Sequence, residues 1–246
     1  LLLGPNVRAK HDFISGNEAV IDPARCTQCG ACVELCRFQA ISRKNGRITL
    51  DPFGCEGCGV CVEFCPEQAI AFPERRCGEW YESDTLYGPM IHAKLAPAAE
   101  NSGKLVTRVR NAARTEAEKQ GAELILIDGP PGIGCPVIAS LSGATAVLVV
   151  TEPTVSGEHD LGRVLQLAKH FRVPAMVCVN KWDLNPETTL RIEQTTVAAG
   201  AVPVGRIPYD TTFTTAMIHG RTVVDYPESG AAENIIRIWE QLCQRI

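Results

Sequence analysis

Several features are missing from this 246-residue sequence, and each absence removes a class of function. No basic run or stripe is present and the net charge is −4, so there is no electrostatic footprint for nucleic acid. No apolar run is long enough to span a bilayer; the candidate Ala146–Val150 reads as a buried strand. No secretory signal pattern is visible. No Gly-x-x-x-x-Gly-Lys-Ser/Thr string occurs. The nearest, Ser102-Gly103-Lys104, is followed by Leu105 where a magnesium-binding hydroxyl is needed. A phosphate cradle requires several backbone N–H groups, a lysine and that hydroxyl, so the chain as given is expected not to hydrolyse ATP. What remains is an ordinary globular composition, 45% hydrophobic and 21% charged.

The twelve cysteines are the exception. They fit either a secreted disulfide scaffold or a reduced metal protein, and spacing decides for metal. Eight fall in two Cys-x-x-Cys-x-x-Cys-x-x-x-Cys runs, an iron–sulfur rhythm. Zinc prefers four ligands in paired knuckles rather than two overlapping runs of four. The runs lie in an internal repeat: Asp22–Ile41 matches Asp51–Ile70, an offset of 29, at twelve of twenty positions. Two copies of one small unit are expected, related by an approximate twofold. Cys26, Cys29 and Cys32 share one tight loop, and Cys36 lies too far along to close the same cluster; in paired runs the fourth cysteine ligates the other cluster. The expected sets are therefore Cys26, Cys29, Cys32 and Cys65 for one [4Fe–4S] cluster, and Cys55, Cys58, Cys61 and Cys36 for the second. Gly30 and Gly59 allow close backbone approach. Pro66 follows the last cysteine of the second run, where the first run has Arg37. Residues 20–73 resemble two-cluster bacterial ferredoxins, a small α+β domain, with strands expected at Val20–Ile21, Arg47–Leu50 and Ala69–Phe72. Thiolate ligands require a reducing, cytoplasmic setting.

From Lys104 onward strands and helices alternate, which predicts a parallel sheet covered on both faces. Helices are expected at Lys104–Gln120, Glu158–His170, Pro186–Ala199, Thr212–His219 and Ala231–Ile246. Buried strands are expected at Leu124–Ile127, Ala146–Val150, Ala175–Val179 and Val202–Ile207. Asp128 follows the first of these strands and opens a Gly/Pro-rich turn, as a Walker B acid does. Asn180-Lys181-Trp182-Asp183 and Ile207-Pro208-Tyr209-Asp210 follow two later strands.

Together with Thr151–Leu161, these segments resemble the MinD/ParA-like P-loop ATPases, with a two-cluster ferredoxin inserted in the ATPase domain. The resemblance implies an α/β fold containing part of a P-loop NTPase, with ATP and Mg2+ as ligands. Asp128 would be the Walker B acid and Gly132 part of the switch after it. Asn180 would touch the adenine, and Pro208 and Asp210 would border the base. Asn180 as a turn cap and Asp210 as the N-cap of the helix at Thr212 are the structural alternatives. It also implies a homodimer, a redox partner protein or cluster acceptor, and a return of Tyr81–Leu95 into the ATPase sheet. Residues 1–19 would then be a remnant of the N-terminal ATPase segment and 74–246 its C-terminal part. The chain opens Leu-Leu-Leu-Gly-Pro without Met, and in the family the phosphate loop precedes the ferredoxin. Leu1 would fall shortly after the second strand, so truncation is expected.

Of the remaining cysteines, Cys178 and Cys243 are expected to be buried structural thiols. Cys135, seven residues after Asp128, is a candidate for binding or passing a metal or cluster, with Cys77 as the available second thiol. His159 and His219 are assigned no role. The expected function is an iron–sulfur ATPase that couples nucleotide to electron transfer. The alternatives are a nucleotide-blind electron carrier, an ATP-dependent metallocofactor assembly factor, and, last, an amide-forming ligase on the same fold.

Overall fold

The computed structural model describes residues 2–99 and 103–246; Leu1 and Ser102, which entered the expectations above, lie outside them. The chain divides into two compact units, one containing Asn6–Asp84 and the strand after it, the other containing Val106–Ile246.

The first unit runs β1 (Asn6–Asn17), β2 (Val20–Ile21), α1 (Ala31–Leu35), β3 (Ile41–Lys44), β4 (Arg47–Leu50), α2 (Val60–Glu63), β5 (Ile70–Ala71), β6 (Glu74–Thr85) and β7 (Gly88–Leu95). The duplication in sequence is also a duplication in backbone. Left-handed residues recur at the repeat interval: Gln28 (φ 62) with Gly57 (φ 61), Gly30 (φ 93) with Gly59 (φ 75), and Gln39 (φ 56) with Gln68 (φ 46). Each short helix starts directly after its glycine. β2 and β5 close the repeat antiparallel, Ile21 opposite Ile70. β3 and β4 form a hairpin around Asn45-Gly46, both at positive φ, the chemistry that a tight two-residue turn demands. Ala19, Ala40, Cys55 and Ile70 make the core, with Leu50, Val62 and several cysteines packed on it.

β1, β6 and β7 form a separate sheet in that order, with β1 and β6 antiparallel. Residues 81–95 therefore do not return into the parallel sheet as expected. Cross-strand pairs on β1 and β6 explain why. Lys10 meets Glu79 at 2.6 Å, Arg8 meets Asp84 at 3.3 Å, and His11 stacks on Trp80 at 4.0 Å. Hydrogen bonds from Lys10, then from Tyr81, hold the Glu79 carboxyl down to about 2.

The second unit contains α3 (Lys104–Gln120), α4 (Cys135–Leu141), β8 (Val147–Thr151), α5 (Val155–His170), β9 (Ala175–Asn180), α6 (Pro186–Ala198), β10 (Val202–Ile207), α7 (Thr212–Ile218) and α8 (Gly230–Cys243). Its strands are parallel in the order β10-β9-β8. Alternate residues of β9 feed two cores, the pattern of a strand covered on both faces. Val177 and Val179 pack with Leu161, Leu165 and Ile192. Met176 and Cys178 pack with Val204 and Ile238. Thr154, Asn185 and Ser229 cap α5, α6 and α8 by accepting backbone N–H bonds.

Two expectations fail here. Leu124–Ile127 is neither a strand nor buried; Leu126 is 76% exposed. A strand exists only through a partner ladder, and no described segment pairs with these residues. Cys243 is exposed, because the inner stripe of α8 runs through Ala231, Ile238 and Leu242 and the next residue turns away. Cys178 is buried as expected, and burial raises its thiol to about 11.

Candidate functional site

The eight repeat cysteines gather around two cavities. The first, about 330 Å3 including its open mouth, is lined by Cys26, Cys29, Cys32 and Cys65. The second, about 360 Å3, is lined by Cys55, Cys58, Cys61 and Cys36. Each cavity thus takes three thiols from one run and the fourth from the other, the crossing that the spacing predicts. Among the described residues no three His, Cys, Asp or Glu side chains converge on a point that a single ion could occupy. Four thiols spread around each cavity suit a cube whose corners are capped one thiolate each.

Local backbone explains the arrangement. Left-handed Gly30 and Gly59 turn the chain from each loop into its helix, so that the third cysteine of each run lies in the first turn. A Cβ on Gly57 would lie 2.3 Å from the Asn17 carbonyl oxygen, so the second loop packs against β1 with no room for a side chain. In the first loop Gln28 occupies the matching position. Its carbonyl accepts from Arg43 (2.8 Å) and its Oε1 from the Ile48 N–H (2.6 Å). Burial, reinforced by neighbouring cysteines, raises the thiols of Cys32 and Cys61. These two hold equivalent places in the repeat. The Ala69 N–H donates to Cys65 Sγ at 3.3 Å.

Two contributors were not foreseen. Arg75 on β6 donates to the Cys55 carbonyl at 3.0 Å, but it lies outside the repeat, so no sequence pattern marks it. Arg43 lies two residues past the matched stretch and, at the same offset of 29, corresponds to Phe72, so extending the comparison of the two copies would have exposed it.

In the second unit the parallel register sets Asn180 opposite Ile207. Asn180 and Pro208 therefore come to one edge of the sheet. Asp183 Oδ1 accepts the Tyr209 N–H at 2.7 Å and fastens the two loops. Lys181, at φ 54, pairs with Glu152 at 2.7 Å. Asp210 accepts from Ser229 Oγ at 2.6 Å and from the Thr212 N–H at 2.7 Å. These bonds, Ser229 first, hold its carboxyl down to about 2 and tie the start of α7 to Ser229, the cap of α8; the N-cap of α7 itself is Thr211 rather than Asp210. Asp128 and Gly132 lie in the irregular stretch before α4, Gly132 at φ 87. Asp128 is exposed and makes no hydrogen bond or ion pair with a described residue. Cys135 is exposed at the start of α4. Cys77 is buried and its thiol is directed at the Ser15 carbonyl (3.0 Å).

Residues 19–72 match the family model of the 4Fe–4S dicluster domain. An uncharacterized protein of Methanocaldococcus jannaschii is 38% identical over 160 residues, 65% of this chain and 55% of that protein. An uncharacterized ATP-binding protein of the same organism is 26% identical over 121 residues, 49% of this chain and 46% of that protein. The chain thus spans about half the length of these relatives. Among solved structures, the MinD cell division protein of Aquifex aeolicus is similar with a TM-score of 0.52 and 22% identity, covering 68% of this chain and 69% of that one. The chain combines a 4Fe–4S dicluster domain with a MinD-like α/β fold. No helix among the described residues is long and apolar enough to cross a membrane.

Proposed function

We propose that this chain is the electron-relay part of an iron–sulfur ATPase in which nucleotide state governs delivery of electrons to a partner. The observation that carries the proposal is the pair of four-cysteine cavities, each completed by a cysteine from the other run. Cys26, Cys29, Cys32 and Cys65 would hold one [4Fe–4S] cluster, and Cys55, Cys58, Cys61 and Cys36 the other. Bound there, the clusters supply one-electron transfer. The short loops position the thiolates, Gly57 lets the second loop seat on β1, and the Ala69 N–H stabilises negative charge on Cys65 Sγ.

The MinD-like fold supports the nucleotide half of the reading. The sheet edge at Asn180 and Pro208 would receive the base, with Asp183 and Asp210 holding its two loops in place. Asp128, which makes no hydrogen bond or ion pair with a described residue, would hold Mg2+ through water, with Gly132 in the switch that follows. ATP and Mg2+ binding require a phosphate loop that these residues do not supply. In the intact protein, closure of a homodimer would bias the two nucleotide states, and a reduced cytoplasm would keep the thiolates available. Coupling requires those states to differ in affinity for the partner or for the electron.

The crossed ligation is tested with Cys36→Ala. It is expected to leave the cavity of Cys26, Cys29 and Cys32 loaded and to lower iron from about eight to about four per chain, with the loss seen by Cys55, Cys58 and Cys61. Loss sensed by the first run instead would overturn the assignment. Cluster potentials and partner affinity that are identical with and without MgATP in the intact protein would overturn the coupling alone.

A further inference from the structure

The repeat lets the surroundings of the two cavities be compared at equivalent positions, and they are not alike. Gly30 and Gly59 correspond, as do Arg43 and Phe72. A Cβ on Gly30 would meet the Arg43 guanidinium at 3.2 Å, whereas one on Gly59 would meet the Phe72 ring at 3.4 Å. The same place therefore holds a cation beside the first loop and an aromatic ring beside the second. No carboxylate of the described residues forms an ion pair with Arg43; its Nη2 is committed to the Gln28 carbonyl. The other charges do not cancel this difference. Each cavity is lined by one glutamate, Glu67 in the first and Glu56 in the second. Exposed Arg25, which donates to the Glu67 carbonyl, and exposed Arg37 flank one cavity each. Arg75, half-buried beside the second cavity, donates to the Cys55 carbonyl and is paired with Glu18 at 3.9 Å.

Two further differences act in the same direction. Cys65, in the first cavity, accepts the Ala69 N–H, and no described N–H is bonded to Cys36, its counterpart in the second. Cys55 in the second cavity is buried, whereas its counterpart Cys26 in the first is only partly buried; apolar side chains line both cavities. Hydrogen bonds to sulfur and positive charge favour the reduced cluster, while apolar burial disfavours its added charge.

We infer that the two cavities are unequal: Arg43 and the bond to Cys65 make the Cys26, Cys29, Cys32 and Cys65 site the one of higher potential, where the first electron comes to rest. The inference rests on the assignment of one cluster to each cavity. The step is a single-electron reduction by a low-potential one-electron donor such as dithionite, and no bond or proton changes place. Arg43 acts as a positioning residue, through its charge and its grip on the Gln28 carbonyl.

The experiment is stepwise anaerobic reduction of the cluster-loaded chain with dithionite. It is followed by EPR and by the paramagnetically shifted Cβ protons of the assigned cysteines. In the wild type the protons of Cys26, Cys29 and Cys32 are expected to report reduction first. Arg43→Gln is expected to shift the partition of the first electron toward the second site by about tenfold, 59 mV for a one-electron couple. Arg43→Lys, which keeps the charge, is expected to restore most of it. Reduction sensed first by Cys55, Cys58 and Cys61, or an order insensitive to Arg43→Gln, would overturn the inference while leaving two clusters in place. A wild-type chain that takes up no iron would overturn the cluster assignment itself. If Arg43→Gln does not fold, the order of reduction in the wild type decides alone.

Discussion

Gly57→Ala isolates how the second cysteine loop is held. Gly57 has φ +61, and a Cβ there would sit 2.3 Å from the Asn17 carbonyl oxygen, although real Cβ contacts essentially never fall below 3.0 Å. Asn17 cannot easily retreat. Its side-chain amide donates to the Phe72 carbonyl at 2.9 Å, and the next residue, Glu18, donates its N–H to the Pro73 carbonyl at 3.1 Å. Two effects combine in the variant. Left-handed backbone costs a residue with a Cβ about 1–2 kcal/mol, and an overpacked contact adds about 1–3 kcal/mol. Their sum, about 2–5 kcal/mol, is a large share of a small domain's stability.

The repeat and the hairpin supply the comparisons needed to separate those effects. Gln28 occupies the matching position at φ 62, so left-handed backbone alone does not require glycine there. Gly46 has φ +76 with nothing within 4 Å of its Cβ position, so Gly46→Ala carries the strain without the clash. Both variants would be loaded anaerobically, assayed for iron, and followed for cluster loss in denaturant. Gly46→Ala is expected to keep about eight irons, and Gly57→Ala to fall toward about four as the second loop lifts from β1. Equal iron and equal rates of loss for the two variants would refute the view that close backbone packing seats the second cluster.

Differences in thiol exposure give a second test. In the native chain an alkylating reagent should label exposed Cys135 and Cys243 and spare Cys178, whose buried thiol is raised to about 11 and is not nucleophilic near neutral pH. Peptide mapping by mass spectrometry checks this, and rapid labelling of Cys178 in folded protein would contradict the β9 packing. A third test uses pH. Because folding lowers the Asp210 carboxyl from 3.8 to about 2, its contribution is complete above about pH 4 and is lost as pH falls through about 2. Asp210→Ala should therefore destabilise the second unit by about 1 kcal/mol near neutral pH, the net worth of a typical hydrogen bond. The deficit against wild type should shrink in acid melts over that window, and a deficit that does not depend on pH would exclude a role for the charged carboxylate.

The ferredoxin unit was legible because its information is local. Ligand spacing and the glycine after the second cysteine act over a few residues, and duplication states the pattern twice. The parallel strands β8, β9 and β10 were legible for a related reason: buried on both faces or flanked by capped helices, they read as apolar runs bounded by turn signals. Leu124–Ile127 carries the same apolar signal and is not a strand. Hydrophobicity reports what a segment would bury, whereas strand formation depends on a neighbour whose position a local pattern does not encode. β1, β6 and β7 failed for the opposite reason. Their charged and aromatic residues, Lys10, Glu79, Trp80 and Tyr81 among them, bond and stack across strands rather than bury, so no apolar run announces them.

The same distinction separates the two halves of the candidate site. The proposed cysteine ligands were read from spacing along the chain, and the same cysteines line the two cavities. The residues proposed to receive nucleotide depend instead on which strand ends adjoin. Asn180 and Pro208 meet only through the register of β9 against β10, and Asp183 is tied to Tyr209 across 26 residues. Asp128 has no paired strand to carry it to that edge. Asp128 follows four exposed apolar residues that form no strand, so its proposed nucleotide role rests on the MinD-like fold, while the iron–sulfur half can be tested directly on the cysteines of the two cavities.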